Sequence, residues 1–156
     1  MVLVAGTARF ASGPGYPHGL PPAEVEALAA RLRRDPAKAM RRFCAAMLAP
    51  GELPEAERLR LAEALAAWAP GPEQALAALA ALSDADARPL LPSVRAPVLL
   101  LHGDRDAIVP ASASAFLAAS LPRPRPVTLP GAGHAPFLTR PDEVASAVAA
   151  FLGEHA

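Results

Sequence analysis

A short parallel sheet flanked by helices, with a purely helical insertion over it, is the fold this sequence predicts, making it an α/β chain on three observations. Val98-Leu99-Leu100-Leu101 is an unbroken apolar run ending at His102-Gly103, as expected of a strand buried on both faces. From there to the end of the chain, strand-like and helix-like segments alternate, which calls for parallel strands joined by helical crossovers. Before that run, the stretch from Pro21 to about Leu82 is all helix and turn.

Val2-Leu3-Val4-Ala5 reads as the first strand, and the Gly/Pro/Ser-rich stretch from Gly6 to Pro22 as a long loop. Pro21-Pro22-Ala23-Glu24 opens a helix to about Arg34. Asp35-Pro36 restarts one, with Asp as N-cap and Pro in the first helical position, running to about Leu48. Pro50-Gly51 and Leu53-Pro54 break the chain. Glu55 to Trp68 is a third helix, with Leu59, Leu61, Ala62 and Leu65 near helical spacing, and Pro70-Gly71-Pro72 ends it. Glu73 to Leu82 is a fourth, Ala-rich helix closed by Ser83-Asp84. After the Val98 to Leu101 strand, Pro110 starts a helix through about Leu121. Arg125 to Leu129 alternates as a short strand, and Pro141 starts the last helix, which ends near Gly153.

The bulk numbers exclude several classes. A chain of 156 residues suits one domain, and 53% hydrophobic against 19% charged residues indicates a folded core rather than disorder. Fifteen basic and fifteen acidic residues cancel, so no overall field draws nucleic acid or anionic lipid. Cys44 is the sole cysteine, which excludes an intrachain disulfide and fits a reducing compartment. The apolar start lacks a basic leader and gives out at Thr7-Ala8-Arg9, and no apolar run approaches the ~20 residues needed to span a bilayer. The expectation is a cytoplasmic protein with no membrane partner. No Cys/His spacing suggests a metal, and no cofactor is implied.

Ligands of parallel α/β sheets bind at the carboxyl ends of the strands, and two motifs fall there. His102-Gly103-Asp104-Arg105-Asp106-Ala107-Ile108-Val109-Pro110 follows the apolar strand, and Gly131-Ala132-Gly133-His134-Ala135-Pro136-Phe137 follows the next. A helix and a strand between Asp106 and His134 return the chain to the same sheet edge. The carboxylate can then accept the Nδ1 proton while Nε2 faces a nucleophile. Gly131 and Gly133 allow the histidine loop to turn tightly. Asp104 is the second candidate acid, otherwise a solvated turn residue, and His102 reads as a packing residue that supports the site. His18, in a flexible loop, and His155, at the terminus, are not expected to act. Cys44 reads as a buried structural thiol. The nucleophile elbow Gly-x-Ser-x-Gly is nowhere in the sequence, and Ser12, Ser112 and Ser114 lack its context.

The strand, the Gly-x-x-Asp-x-x-Val-Pro turn, the helix and strand, the Gly-x-Gly-His-x-Pro-Phe loop and the closing helix together resemble the C-terminal half of the α/β-hydrolase family. The resemblance implies that Asp106 is the triad carboxylate and His134 the general base. It divides the chain into a first core strand and turn (1–10), a loop and helical lid (11–90), and a core strand-helix-strand-helix unit carrying both residues (91–156). Within the family the chain is most similar to the pimeloyl-[acyl-carrier protein] methyl ester carboxylesterases of biotin synthesis. That similarity rests on Tyr16-Pro17-His18-Gly19-Leu20, on Asp35-Pro36-Ala37-Lys38-Ala39-Met40-Arg41-Arg42-Phe43, and on His134-Ala135-Pro136-Phe137. It implies a carrier-protein-bound methyl ester as substrate, Phe43 and Ile108 in the acyl pocket, and Lys38 and Arg42 as carrier-protein contacts, with Arg58 a looser match. The alternative for Lys38, Arg41 and Arg42 is a plain solvated helix face.

Relative to the family, the strands before the first one, the oxyanion-hole segment and the nucleophile are absent, roughly a hundred residues at ~30 per strand-helix unit. The expectation is therefore a chain that turns over no ester alone. It is then the C-terminal piece of a carboxylesterase, one half of a split enzyme, or a non-catalytic module that binds an acyl group or carrier protein. Its first strand would present an unpaired edge open to a separate N-terminal half or to self-association. Because related folds use Asp or Cys as nucleophile, dehalogenase-like and carbon–carbon hydrolase chemistry also stay open.

Overall fold

The computed structural model describes residues 1–154; His155 lies outside the described residues. Its frame is a three-stranded parallel sheet in the order β1 (Val2–Val4), β2 (Val98–Gly103), β3 (Pro124–Leu129). Val4 lies opposite Leu101, and Leu101 opposite Val127. All six residues of β2 are buried, because helices cover both faces of the central strand. Val98 and Leu100 pack with Tyr16, Leu91, Leu117 and Leu121 on one face. On the other, Leu99 and Leu101 pack with Phe151 and with Val2, Val4, Val127, Val144 and Val148. The unbroken apolar run thus alternates between two cores. β3 begins at Pro124 and carries Pro126, which an edge strand tolerates because one side needs no N–H donor.

Four helices form the insertion: α1 (Pro22–Arg34), α2 (Pro36–Ala46), α3 (Glu55–Ala67) and α4 (Pro72–Asp84). Asp35 caps α2, its carboxylate accepting the Lys38 N–H at 3.0 Å, and Pro36 occupies the first turn. Several ends differ by a residue or two from those predicted, as fraying termini do. A core of Phe10, Val25, Leu32, Ala39, Ala75, Leu79, Ile108, Val109 and Ala113 joins α1, α2 and α4 to the carboxyl ends of the strands, and Ala62 of α3 packs with Leu48 and Ala135. The insertion therefore sits as a lid over the sheet edge where Asp106 and His134 emerge.

Two short elements had no sequence prediction. A 3₁₀ segment, Arg88–Ser93, leads from the lid back to β2, and the single turn α6 (Pro136–Thr139) follows His134. α5 (Ala111–Ser120) and α7 (Pro141–Gly153) complete the chain. The loop from Gly6 to Pro21 is pinned rather than flexible, which corrects the reading of His18. Tyr16 is fully buried, meets Thr7 Oγ1 at 2.9 Å, and stands edge-on to Phe116 with ring centroids 5.0 Å apart. The His18 ring rests 5.4 Å from that of Phe116. Among the described residues no helix is long and apolar enough to cross a membrane.

Candidate active site

The turn that leaves β2 builds a socket for one carboxylate. Asp106 Oδ1 accepts the N–H groups of Ile108 at 2.8 Å and Val109 at 2.9 Å, so one oxygen is held by the turn that carries it. Oδ2 accepts the Nδ1–H of His134 at 2.8 Å, and the Asp106 side chain has no exposed surface. With the proton held on Nδ1 and donated to the carboxylate, Nε2 keeps its lone pair, the state a general base requires. Among the described residues Nε2 has no hydrogen-bond partner.

His102 adds a contact that its reading as a packing residue did not specify. The ring is buried; its Nε2–H donates to the Val109 carbonyl at 3.0 Å and lies 3.4 Å from Asp106 Oδ2. It stands beside Oδ2, while the turn amides hold Oδ1. Asp104 stays outside the pair and ties the two strand-end loops together, accepting the Gly131 N–H at 2.6 Å while the Arg105 N–H donates to Ala132 O at 3.0 Å. Gly103 and Gly131 are glycine for different reasons. A Cβ on Gly103 would stand 2.2 Å from the Ala132 carbonyl oxygen, and Gly131 adopts φ +75°.

His134 opens on a cavity of about 520 Å³ whose walls are mainly apolar and include Phe10, Leu32, Met40, Phe43, Leu79 and Ile108. Phe43 and Ile108 are thus brought to the base. Both also line an adjoining cleft of about 370 Å³, which reaches Arg31 and Arg42. Arg31 and Arg42 in turn border a surface notch with Arg34, Asp35 and Lys38. The chamber at His134 and this cleft share Phe10, Leu28, Phe43 and Ile108 as walls, and the cleft reaches the cations that rim the junction of α1 and α2, beside Glu24. The run of cations from Arg31 to Arg42 was visible in the sequence, but the part taken by Arg31 and Arg34 was not, since it depends on how α1 meets α2.

Arg58 does not line this rim. Its guanidinium is engaged by Glu55 at 2.7 Å and reaches the Ala45 carbonyl at 3.4 Å, and this pairing raises the Arg58 pKa and lowers that of Glu55. Cys44 is buried in α2, and burial pushes its thiol pKa up. Ser112 and Ser114 lie in α5 and Ser12 in the pinned loop, none on a strand-to-helix elbow.

A parallel sheet under a helical lid, with a carboxylate–imidazole pair on neighbouring strand ends, is the architecture of the α/β-hydrolase class. The model of the alpha/beta hydrolase family matches residues 1–147, and the chain belongs to that family. It is 35% identical over 155 residues to a pimeloyl-[acyl-carrier protein] methyl ester esterase from Aromatoleum aromaticum, covering 93% of this chain and 60% of that protein. It is 34% identical over 147 residues to the protein of the same name from Nitrosomonas europaea, covering 94% of this chain and 58% of that one. The chain thus spans about 60% of the length of these curated relatives. Among solved structures, a bromoperoxidase from Bacillus anthracis superposes with TM-score 0.85 at 25% identity, over 97% of this chain and 57% of its own. An esterase from Exiguobacterium antarcticum shares the fold with TM-score 0.85 at 22% identity, over 97% of this chain and 56% of its own.

Proposed function

We propose that this chain supplies the acid, the base and the acyl-binding lid of a carboxylic ester hydrolase. Its proposed substrate is the methyl ester of a carrier-protein-bound acyl chain, such as the pimeloyl ester of biotin synthesis. The observation that carries the reading is the Nδ1-to-carboxylate bond of 2.8 Å on a histidine that borders an apolar chamber. A cleft that shares Phe43 and Ile108 with that chamber and reaches Arg31 and Arg42, next to the notch bordered by Arg34 and Lys38, supports a ligand with an apolar acyl end and an anionic carrier end. Lys38 and Arg42 are the proposed carrier contacts, and Phe43 and Ile108 the acyl-lining residues. Arg58, held by Glu55, is the weakest of the carrier assignments.

The chemistry follows from the pair. A nucleophilic hydroxyl attacks the ester carbonyl and gives its proton to His134 Nε2, while Asp106 stabilises the imidazolium. Collapse of the tetrahedral adduct expels the alkoxide, which takes that proton and leaves as methanol. Water then attacks the acyl-enzyme, losing a proton to His134, and the free carboxylic acid departs as the hydroxyl is reprotonated. No Gly-x-Ser-x-Gly elbow occurs among the 156 residues, so the hydroxyl is assigned to a segment beyond this sequence. β1 pairs only with β2 among the described residues, which supports a further strand joining there.

The test is reconstitution. The pure polypeptide is assayed against a carrier-bound methyl ester alone and after mixing with a fragment that carries the elbow. No turnover alone, turnover in the mixture, and its abolition by His134→Ala are the expected results. Turnover by the chain alone that His134→Ala abolishes would overturn the assignment of the nucleophile. Carrier binding without hydrolysis in either sample would instead favour a non-catalytic binding module.

A further inference from the structure

We infer that Glu52 is the positioning residue of His134, a buried carboxylate that latches the lid to the histidine loop; this rests on the proposed role of His134 as the base. Glu52 lies in the α2–α3 connection, far from the histidine in sequence, and its side chain is only 1% exposed. An ionised carboxylate so placed needs donors around it. Four converge on it. Oε2 accepts the Ala49 N–H at 3.0 Å from its own loop and the Gly133 N–H at 3.1 Å from the histidine loop. Oε1 accepts the Thr139 hydroxyl, and the Arg140 Nε lies 3.9 Å away.

The same junction is fastened a second time. The Met47 carbonyl, at the C-terminal end of α2, accepts the N–H groups of His134 at 2.8 Å and Ala135 at 3.3 Å. Three consecutive backbone amides, Gly133 to Ala135, therefore all end on the lid connection. The approach is close enough to exclude a side chain. A Cβ on Gly133 would stand 2.6 Å from the Met47 oxygen and 2.7 Å from the Ala49 nitrogen. Leu48, Ala62 and Ala135 pack the apolar side of the joint.

Asp106 restrains the His134 ring from the strand side, but one hydrogen bond to Nδ1 leaves the ring free to swing with its loop. Glu52 removes that freedom by anchoring the residue before the histidine, and Met47 anchors the histidine itself. The lid and the base are thereby one rigid unit, so that a displacement of the α2–α3 connection moves His134 off Asp106.

The test uses the ¹⁵N-labelled 156-residue chain and needs no turnover. In the wild type, the His134 ring should show a protonated Nδ1 and a bare Nε2. Glu52→Ala should speed exchange of the Gly133 amide about 10- to 100-fold, the effect of losing a charged hydrogen bond. It should also average the two ring-nitrogen shifts, while Leu99 to Leu101 of β2 keep their protection. Glu52→Gln should restore the ring signature, because its carbonyl can serve the two amides and its NH₂ can donate to the Thr139 hydroxyl. A merely structural role would lower stability and leave the ring of the folded fraction untouched; that result overturns the inference, as does failure of Gln to restore the ring. If Glu52→Ala does not fold, exchange in the wild type decides. Opening of the Ala49, Gly133 and His134 amides as one unit supports the latch, and independent opening overturns it. A wild-type ring without a protonated Nδ1 overturns the base reading and the latch together, and is seen before any substitution is made.

Discussion

Asp106→Asn is the most informative single change because the structure dictates how the amide must turn. Oδ1 of Asp106 holds two backbone amides and Oδ2 holds one imidazole N–H. Asn has one oxygen to offer, and facing the turn satisfies two donors where facing His134 satisfies one. The NH₂ group then points at His134 Nδ1 and donates to it. That forces the proton onto Nε2 and leaves the ring unable to accept one from a nucleophile. The charged bond lost is worth about 1.5–3 kcal/mol of stability. The tautomer change should cost about 10⁴ in kcat in the reconstituted enzyme, the size of the same exchange in a protease triad. Long-range ¹H–¹⁵N correlation on the ring reads the tautomer, urea unfolding the stability, and ester turnover the rate. A variant ring that still carries its proton on Nδ1 would refute the reasoning.

Three further outcomes follow from the same geometry. Gly103→Ala should destabilise the chain by about 3 kcal/mol in urea, the upper range for overpacking, because its Cβ meets the Ala132 and Gly133 carbonyl oxygens at 2.2 and 2.3 Å. Cys44 should resist alkylation in the native protein at neutral pH and react once urea exposes it, since burial raises its pKa and the thiolate is the reactive form. Asp86 should titrate at about 2 by carbon-detected NMR, below its ordinary 3.8, chiefly because the Arg88 side chain hydrogen-bonds to it. Its folded value lies below the unfolded one, so the stability it contributes is present above about 3.8 and is lost as the pH falls toward 2. Arg88→Ala should return the midpoint to the ordinary range.

What was legible in the sequence is what local pattern encodes. The apolar run of β2, the Asp35-Pro36 helix start and the two strand-end motifs need no tertiary knowledge, and the structure contains each of these elements. What was illegible depends on distant partners. Tyr16 pins a Gly/Pro-rich stretch through Thr7 and Phe116, and nothing near Tyr16 in sequence announces that burial. Glu52 sits between chain breakers as an ordinary loop residue, and only its contact with Gly133 gives it meaning. Arg58 shows the converse. The family resemblance made it a looser candidate for a carrier contact, and the sequence did not show that the neighbouring Glu55 pairs with it.

Helix α2 explains why lid and base belong to one device. Its buried side carries Ala39 and Cys44, while Met40 and Phe43 line the chamber. Lys38 and Arg42 reach the basic rim, and Met47 at its end holds the His134 amide. At ~1.5 Å per residue, the nine steps from Lys38 to Met47 place the rim and the histidine anchor roughly 14 Å apart along one rigid rod. On the proposed function, a ligand bound at the rim and threaded past Phe43 would be measured against the base by the helix itself. Each residue added or removed within α2 rotates one end against the other by about 100°. Such a change would separate these three positions even where every side chain is kept, so on the proposed function the register of α2, more than any one cation on it, would align an acyl group with His134.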